Sequence, residues 1–270
     1  MPSARVLLLR APGTNCDAET AFAFEQAGAT VDAIHVRALC AQPAQMEEYS
    51  ILALPGGFSY GDDLGSGTVL ANELTQTLAD PLKRFVERRG LVIGICNGFQ
   101  ILIKTGLLPG VSYLSGNNEQ REAVGLPGAT LTHNDSQRFE DRWVTLRIEP
   151  CQSPFLEGDA GRLVRLPVAH GEGKFVARDV ATLERFESNR QVAFRYVSEE
   201  GRQSTYPDNP NGAQNNIAGI TDETGHILGL MPHPERFVLP WQHPSWTREG
   251  LKKEGDGLFL FRNAVKYVKK

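Results

Sequence analysis

The sequence predicts an α/β fold built on a mostly parallel, doubly wound sheet. Three observations point to it. Short β-branched apolar runs alternate with segments of helical periodicity, the runs stop at glycine- and proline-rich loops, and the reactive side chains cluster at those stops. With 270 residues, 41% of them hydrophobic, the chain can bury a large core. The expectation is one domain over 1–270, with a C-terminal extension from about residue 238 that ends in a helix.

In chain order, Arg5–Arg10 reads as a buried first strand. Thr14-Asn15-Cys16-Asp17 reads as a capping box, Thr14 capping and Asp17 answering three residues on. A helix over 18–27 stops at Gly28, and 31–36 and 50–54 read as the second and third strands, the latter ended by Pro55-Gly56-Gly57. A helix over 74–89 leads into the apolar run Leu91-Val92-Ile93. Beyond Pro109 the character changes: 111–128 is polar and glycine-containing, and 143–148, 163–168 and 191–197 look like short strands. The runs 217–221 and 227–231, joined by Asp222-Glu223-Thr224-Gly225, read as a hairpin. This half is expected to extend the same sheet as a mixed portion, not to fold as a separate domain. A closing amphipathic helix over 257–269 puts Leu258, Phe261, Ala264, Val265 and Val268 on one face.

The most informative stretch is Gly94-Ile95-Cys96-Asn97-Gly98-Phe99-Gln100. An apolar strand ends, a cysteine stands between two glycines, and helical spacing resumes: a nucleophile elbow with a thiol at its apex. The glycines leave room for strand and helix to pass closely, and a helix N-terminus favours a thiolate. A lone cysteine in apolar surroundings is by default structural, and the paired glycines tip the reading to a nucleophile. A thiolate needs a base, and the base an orienting acceptor. Met231-Pro232-His233-Pro234-Glu235 offers both, because residues two apart on an extended chain share a side; an incidental turn histidine stays open on spacing alone. The oxyanion hole falls to the N–H of Asn97 and an N–H of the Gly56-Gly57-Phe58 loop, whose other reading is a plain tight turn.

Other features exclude functions. Net charge is −4 with scattered basic residues, which argues against nucleic acid, and no apolar run reaches membrane-spanning length. Met1–Arg5 runs straight into a strand-like segment, so no signal peptide is expected and the chain reads as cytoplasmic. Cysteines 16, 40, 96 and 151 have no metal-ligand spacing; no metal is expected, and the three besides Cys96 read as ordinary thiols. Gly171-Glu172-Gly173-Lys174-Phe175 fails the Walker pattern, and Gly65-Ser66-Gly67 meets Leu70 where a dinucleotide fingerprint needs a small residue. The chain is thus expected to hold no nucleotide or other cofactor. His35, His226 and His243 read as surface or turn residues, while His133 and His170 each stand as candidates to line the site.

The Gly-x-Cys-x-Gly-x-Gln elbow, the upstream Pro-Gly-Gly loop and the downstream His-Pro-Glu resemble class I glutamine amidotransferases. The segments Pro12–Asp17, Gly56–Asp63, Arg138–Trp143, Ala169–Phe175 and Asn209–Gly212, in that order from about residue 5 to about 237, narrow the resemblance to the glutaminase subunits of phosphoribosylformylglycinamidine synthase. The resemblance implies a flavodoxin-like three-layer sandwich. It implies hydrolysis of glutamine through a γ-glutamyl thioester, with the ammonia passed to a large synthetase subunit that uses ATP and Mg, often bridged by a small third subunit, in purine biosynthesis. It implies Cys96 as nucleophile, His233 as general base and acid, Glu235 as its partner, Gly57 and Asn97 as oxyanion donors, and Gly56, Phe58, Gln100 and His170 near bound glutamine. The Arg138–Trp143 stretch is then a pocket or interface element. Ser66–Leu70 is poorer in alanine than the family's pattern, and the extension carrying Trp241 and Trp246 either docks on a partner or covers a sheet edge. An amidotransferase serving another synthetase, a free-standing cysteine hydrolase and a non-catalytic regulatory module are the alternatives.

Overall fold

Fully apolar, β-branched runs form strands buried on both faces, and these make the middle of the molecule. The computed structural model describes residues 4–110 and 128–270, so nearly all of the polar 111–128 segment lies outside the described residues. In chain order the strands are β1 (Arg5–Arg10), β2 (Thr30–His35), β3 (Ile51–Leu54), β4 (Leu91–Ile95), β5 (Ala129–Thr132), β6 (Glu140–Ile148), β7 (Leu163–His170), β8 (Lys174–Ala177), β9 (Val192–Val197), β10 (Ile217–Thr221) and β11 (Ile227–Leu230). The helices are α1 (Asp17–Gln26), α2 (Val36–Ala41), α3 (Thr68–Thr77), α4 (Ala79–Glu87), α5 (Asn97–Lys104), α6 (Val180–Ser188), α7 (Trp246–Glu249) and α8 (Leu258–Val268), with short 3₁₀ turns between.

Nine strands form one sheet in the order β2-β1-β3-β4-β11-β10-β9-β6-β7. The first five pair in parallel; the last four add antiparallel neighbours, the mixed extension expected from the sequence. Every residue of β3, β4, β10 and β11 is buried, as sheets covered on both faces require. Helices α1 and α8 meet through Phe24 and Phe261, whose rings stand edge to face at 4.9 Å, and α3 packs on α5. Strands β5 and β8 form a separate two-stranded ribbon. The chain steps from β1 out to β2 and then returns to β3 on β1's other side, so a crevice opens at the carboxyl ends around β1 and β3.

Several local expectations need correction. The 74–89 helix is two helices broken at Leu78. Pro81 has no N–H to continue a helix, and the break places it in the first turn of α4, where none is needed. Strand β2 ends at His35, whose ring accepts from the Arg37 N–H and caps α2. The capping box does not form: Cys16 occupies the N-cap of α1 without a side-chain cap bond, and the Thr14 hydroxyl instead accepts from the Ala11 N–H at 3.0 Å. Thr14 is committed to the loop after β1, which pairs with Gly57.

Two of the histidines read as surface or turn residues are buried. His226 Nε2 lies 2.9 Å from the Tyr267 hydroxyl, and His243 packs edge to face on Trp143 at 4.7 Å. Asp256 accepts from the Arg165 N–H of edge strand β7 at 3.0 Å, while Arg165 also reaches Glu249. The extension therefore covers the sheet edge through His243, Glu249 and Asp256, and leaves Trp241 and Trp246 exposed.

Candidate active site

Strand β4 ends at Ile95 and α5 begins at Asn97, leaving one residue to reverse the chain. Cys96 makes that turn at φ 52°, ψ −106°, a conformation a non-glycine residue holds only at a cost of about 1–3 kcal/mol. Its N–H continues the parallel pairing to Leu230 O at 2.8 Å, and its carbonyl accepts from Phe99 and Gln100. The two glycines are needed for contact, not only for conformation. A Cβ on Gly98 would fall 1.9 Å from the Leu54 carbonyl oxygen, and one on Gly94 would fall 2.5 Å from the Gly98 oxygen. Helix α5 thus crosses directly on the backbone of β3 and β4, which drives the thiol to the crevice floor.

The segment after β11 brings His233 to the same crevice. His233 is extended (φ −102°, ψ 90°) before Pro234, and its N–H is held by Pro167 O of β7 at 2.8 Å. Its Nδ1 lies 2.6 Å from Glu235 Oε1, and both side chains are buried. His233 Cε1 and Cys96 Cβ both border Gly56, so the ring stands beside the cysteine, whose thiol donates to Ala169 O at 3.7 Å. Burial alone would push His233 down, but the Glu235 carboxylate and the Cys96 sulfur outweigh it and hold the imidazolium well above the ordinary histidine range. His233 Nε2 and Glu235 Oε2 are buried without a protein partner.

Gly57 faces Thr14 across a short bridge made by neighbouring groups, Asn15 N–H to Gly56 O and Phe58 N–H to Gly13 O. That pairing does not use the Gly57 N–H. A Cβ on Gly57 would come within 2.6 Å of Gly13 O, and its φ of 141° suits glycine alone. On Gly56, a Cβ would meet His233 Cε1 at 2.9 Å and Cys16 Sγ at 3.1 Å. Asn97 stands at the first position of α5, where a backbone N–H has no helical acceptor. Its side chain accepts from Ser59 N–H and donates to Asp62 and to Gln100 Oε1. Burial pushes the Asp62 carboxyl up, against the lowering bonds from Gly67 and Asn97.

Gln100 donates on to Glu172 O at 2.7 Å, so its amide braces the elbow helix against the turn after β7. Phe58, nearly half exposed, lies 6.4 Å from Phe139 of the Arg138–Trp143 stretch. His170 ends β7 with Nδ1 on Asn134 Oδ1 at 3.1 Å. Burial and the charge of nearby His233 push it down to about 4, so it is neutral at working pH. His133 is exposed.

Two residues escaped the sequence reading. Asn134 is buried and makes four bonds: its oxygen takes His170 Nδ1 and the Gly173 N–H, and its amide donates to His170 O and Arg138 O. Cys16, read as ordinary, stands beside His233 and accepts from Arg236 Nη2 at 3.1 Å. No spacing rule joins it to the triad, though its place at the carboxyl end of β1 was a usable signal.

A thiol on a strained strand–helix turn beside an imidazole held by a buried carboxylate, on a doubly wound sheet, is an arrangement suited to cysteine-dependent acyl transfer. The chain belongs to the family of the CobB/CobQ-like glutamine amidotransferase domain, whose model matches residues 3–268. Within it, the chain is 48% identical over 270 residues to phosphoribosylformylglycinamidine synthase subunit PurQ of Dehalococcoides mccartyi, covering 100% of this chain and 99% of that protein. It is 40% identical to the subunit of the same name from Methanococcus maripaludis, over 98% of each chain. Among solved structures it resembles a chain of PurLQS from Thermotoga maritima, with a TM-score of 0.73, 32% identity, and 99% and 100% coverage of the two chains. The glutaminase domain of Trypanosoma brucei CTPS, 13% identical with a TM-score of 0.53, shares the fold over 98% of this chain and 94% of its own. The described residues contain no helix long and apolar enough to cross a membrane.

Proposed function

We propose that this chain is the glutaminase subunit of phosphoribosylformylglycinamidine synthase, and that Cys96, His233 and Glu235 carry its chemistry. The observation that supports this most is the meeting of these three side chains, from two distant segments, in a chain alike over its full length to subunits of that synthase. Cys96 attacks the side-chain carbonyl of glutamine, and the N–H groups of Gly57 and Asn97 receive the oxyanion. The tetrahedral intermediate collapses with a proton from His233 to the departing ammonia, leaving a γ-glutamyl thioester on Cys96. Water then attacks the thioester, His233 takes its proton, and glutamate leaves with the thiol restored. Glu235 keeps the ring oriented and supports its positive charge. Gly56, Phe58, Gln100 and His170 shape the space for glutamine, His170 as a neutral group.

The whole 1–270 chain acts as one amidotransferase domain in this reading. The partners are a large synthetase subunit and a small bridging subunit, as the three-part name PurLQS supports. ATP and Mg belong to the synthetase, which receives the ammonia and converts formylglycinamide ribonucleotide to formylglycinamidine ribonucleotide, and the complex works in the cytoplasm. Cys96→Ala in the reconstituted complex is expected to abolish glutamine-dependent synthesis and to leave ammonia-dependent synthesis intact. Loss of both activities in a well-assembled complex would defeat this division of roles.

A further inference from the structure

The Cys16 sulfur, one imidazole nitrogen of His233 and a carboxylate oxygen of Glu235 lie within 4.8 Å of one another, all three side chains buried. From that geometry we propose that these three residues form a binding site for a thiophilic divalent cation of the zinc class, and that its occupation switches the glutaminase off. One sulfur, one nitrogen and one oxygen make a donor set suited to zinc and poorly suited to magnesium or calcium. Ligand atoms around tetrahedral zinc stand about 3.3–3.8 Å apart given its bond lengths, a spacing that a cluster within 4.8 Å reaches by small side-chain shifts. Glu235 Oε2 is buried with no partner in the protein, which leaves one carboxylate oxygen free to take a metal.

Other details fit. The side chains of Cys16 and His233 both border Gly56, where a Cβ would press on each, so the wall beside them is bare backbone. Arg236 is the internal competitor: its guanidinium donates to Cys16 Sγ at 3.1 Å and lies 3.9 Å from Glu19, to which it turns as the metal arrives. On binding, the Cys16 thiol and the His233 imidazolium each give a proton to solvent, and the sulfur and the freed ring nitrogen bond the metal. The metal then holds the base and its orienting carboxylate together, so neither can serve the Cys96 thiol. Cys96 itself is not a ligand in this assignment.

Cobalt(II) is the probe, because a thiolate–cobalt bond gives a near-ultraviolet charge-transfer band whether or not the enzyme is active. The full-length wild-type chain is expected to bind one cobalt with that band, and zinc to displace it. Cys96→Ala retains the band. Cys16→Ser and Cys16→Ala lose it and weaken zinc binding by about 100-fold or more, since even outer-sphere partners cost 10–100-fold. Both keep the backbone bonds of residue 16, and circular dichroism checks their folding. Arg236→Gln is expected to tighten the site. In the complex, micromolar zinc should inhibit the wild type and spare Cys16→Ser, each measured against its own metal-free rate. A band lost in Cys96→Ala but kept in Cys16→Ser, no band in the wild type, or equal zinc inhibition of wild type and Cys16→Ser would each overturn the assignment. The inhibition arm rests on the glutaminase reading, whereas the spectra do not, so failure of one is distinct from failure of the other.

Discussion

Glu235→Gln isolates what the carboxylate contributes to His233. Glu235 Oε1 receives the ring at 2.6 Å, and Oε2 is buried without a partner. A glutamine in the same rotamer leaves its NH₂ as an unpaired buried donor, which costs about 1–3 kcal/mol. The amide therefore flips to give its N–H to Nδ1, and the ring is driven to the neutral tautomer with hydrogen on Nε2 alone, which loses the imidazolium that the carboxylate supports. The same change removes the largest influence holding the imidazolium up. A misplaced tautomer in a triad costs about 10⁴-fold in kcat, which corresponds to about 5.5 kcal/mol in barrier height. The pH effect has a definite sign. A protonated His233 is the working form, so activity is full below its raised value and lost as pH rises through it; without the carboxylate that loss moves to lower pH. Initial rates of glutamate release, measured across pH with the partner present, would test both features. A kcat within about 3-fold of wild type with an unmoved alkaline limb would refute the role assigned to Glu235.

Gly98→Ala sets a methyl 1.9 Å from the Leu54 carbonyl oxygen. It should cost at least about 1–3 kcal/mol, because backbone cannot yield as a flexible side chain does; a melting temperature equal to wild type would show that α5 does not cross β3 so closely. Asn134→Ala removes four buried bonds behind His170 and should cost about 2–4 kcal/mol in urea unfolding. For wild-type glutaminase, the alkaline limb should lie above the ordinary histidine range, since His233 is held up by Glu235 and Cys96. Stability contributed by the same pair is complete below the ordinary histidine value and fades as pH rises through the raised one, which thermal melts across pH can follow.

The parallel half of the sheet was legible because strands buried on both faces read as unbroken apolar runs, as in 51–54 and 91–95. The elbow was legible because its glycines are demanded by backbone contacts within a few residues of the thiol. Features that depend on long-range contact were not. Cys16 meets His233 only after β1, β3 and β11 come together, and a capping box that is locally sound gave way to the pairing of Thr14 with Gly57. His226 and His243 are polar in sequence, yet Tyr267 and Trp143 give them buried company. The helix break at Leu78 depended on reading Pro81 as a start signal instead of an interruption.

The covalent intermediate is the most direct test of the proposed chemistry. The intact complex, incubated with glutamine, quenched in acid and digested, should show a glutamyl group in thioester linkage on the peptide containing Cys96, released by hydroxylamine and absent from Cys96→Ala. A glutamyl group on the Cys16 peptide, or none on either while ammonia is being released, would contradict the assignment of Cys96 as the nucleophile.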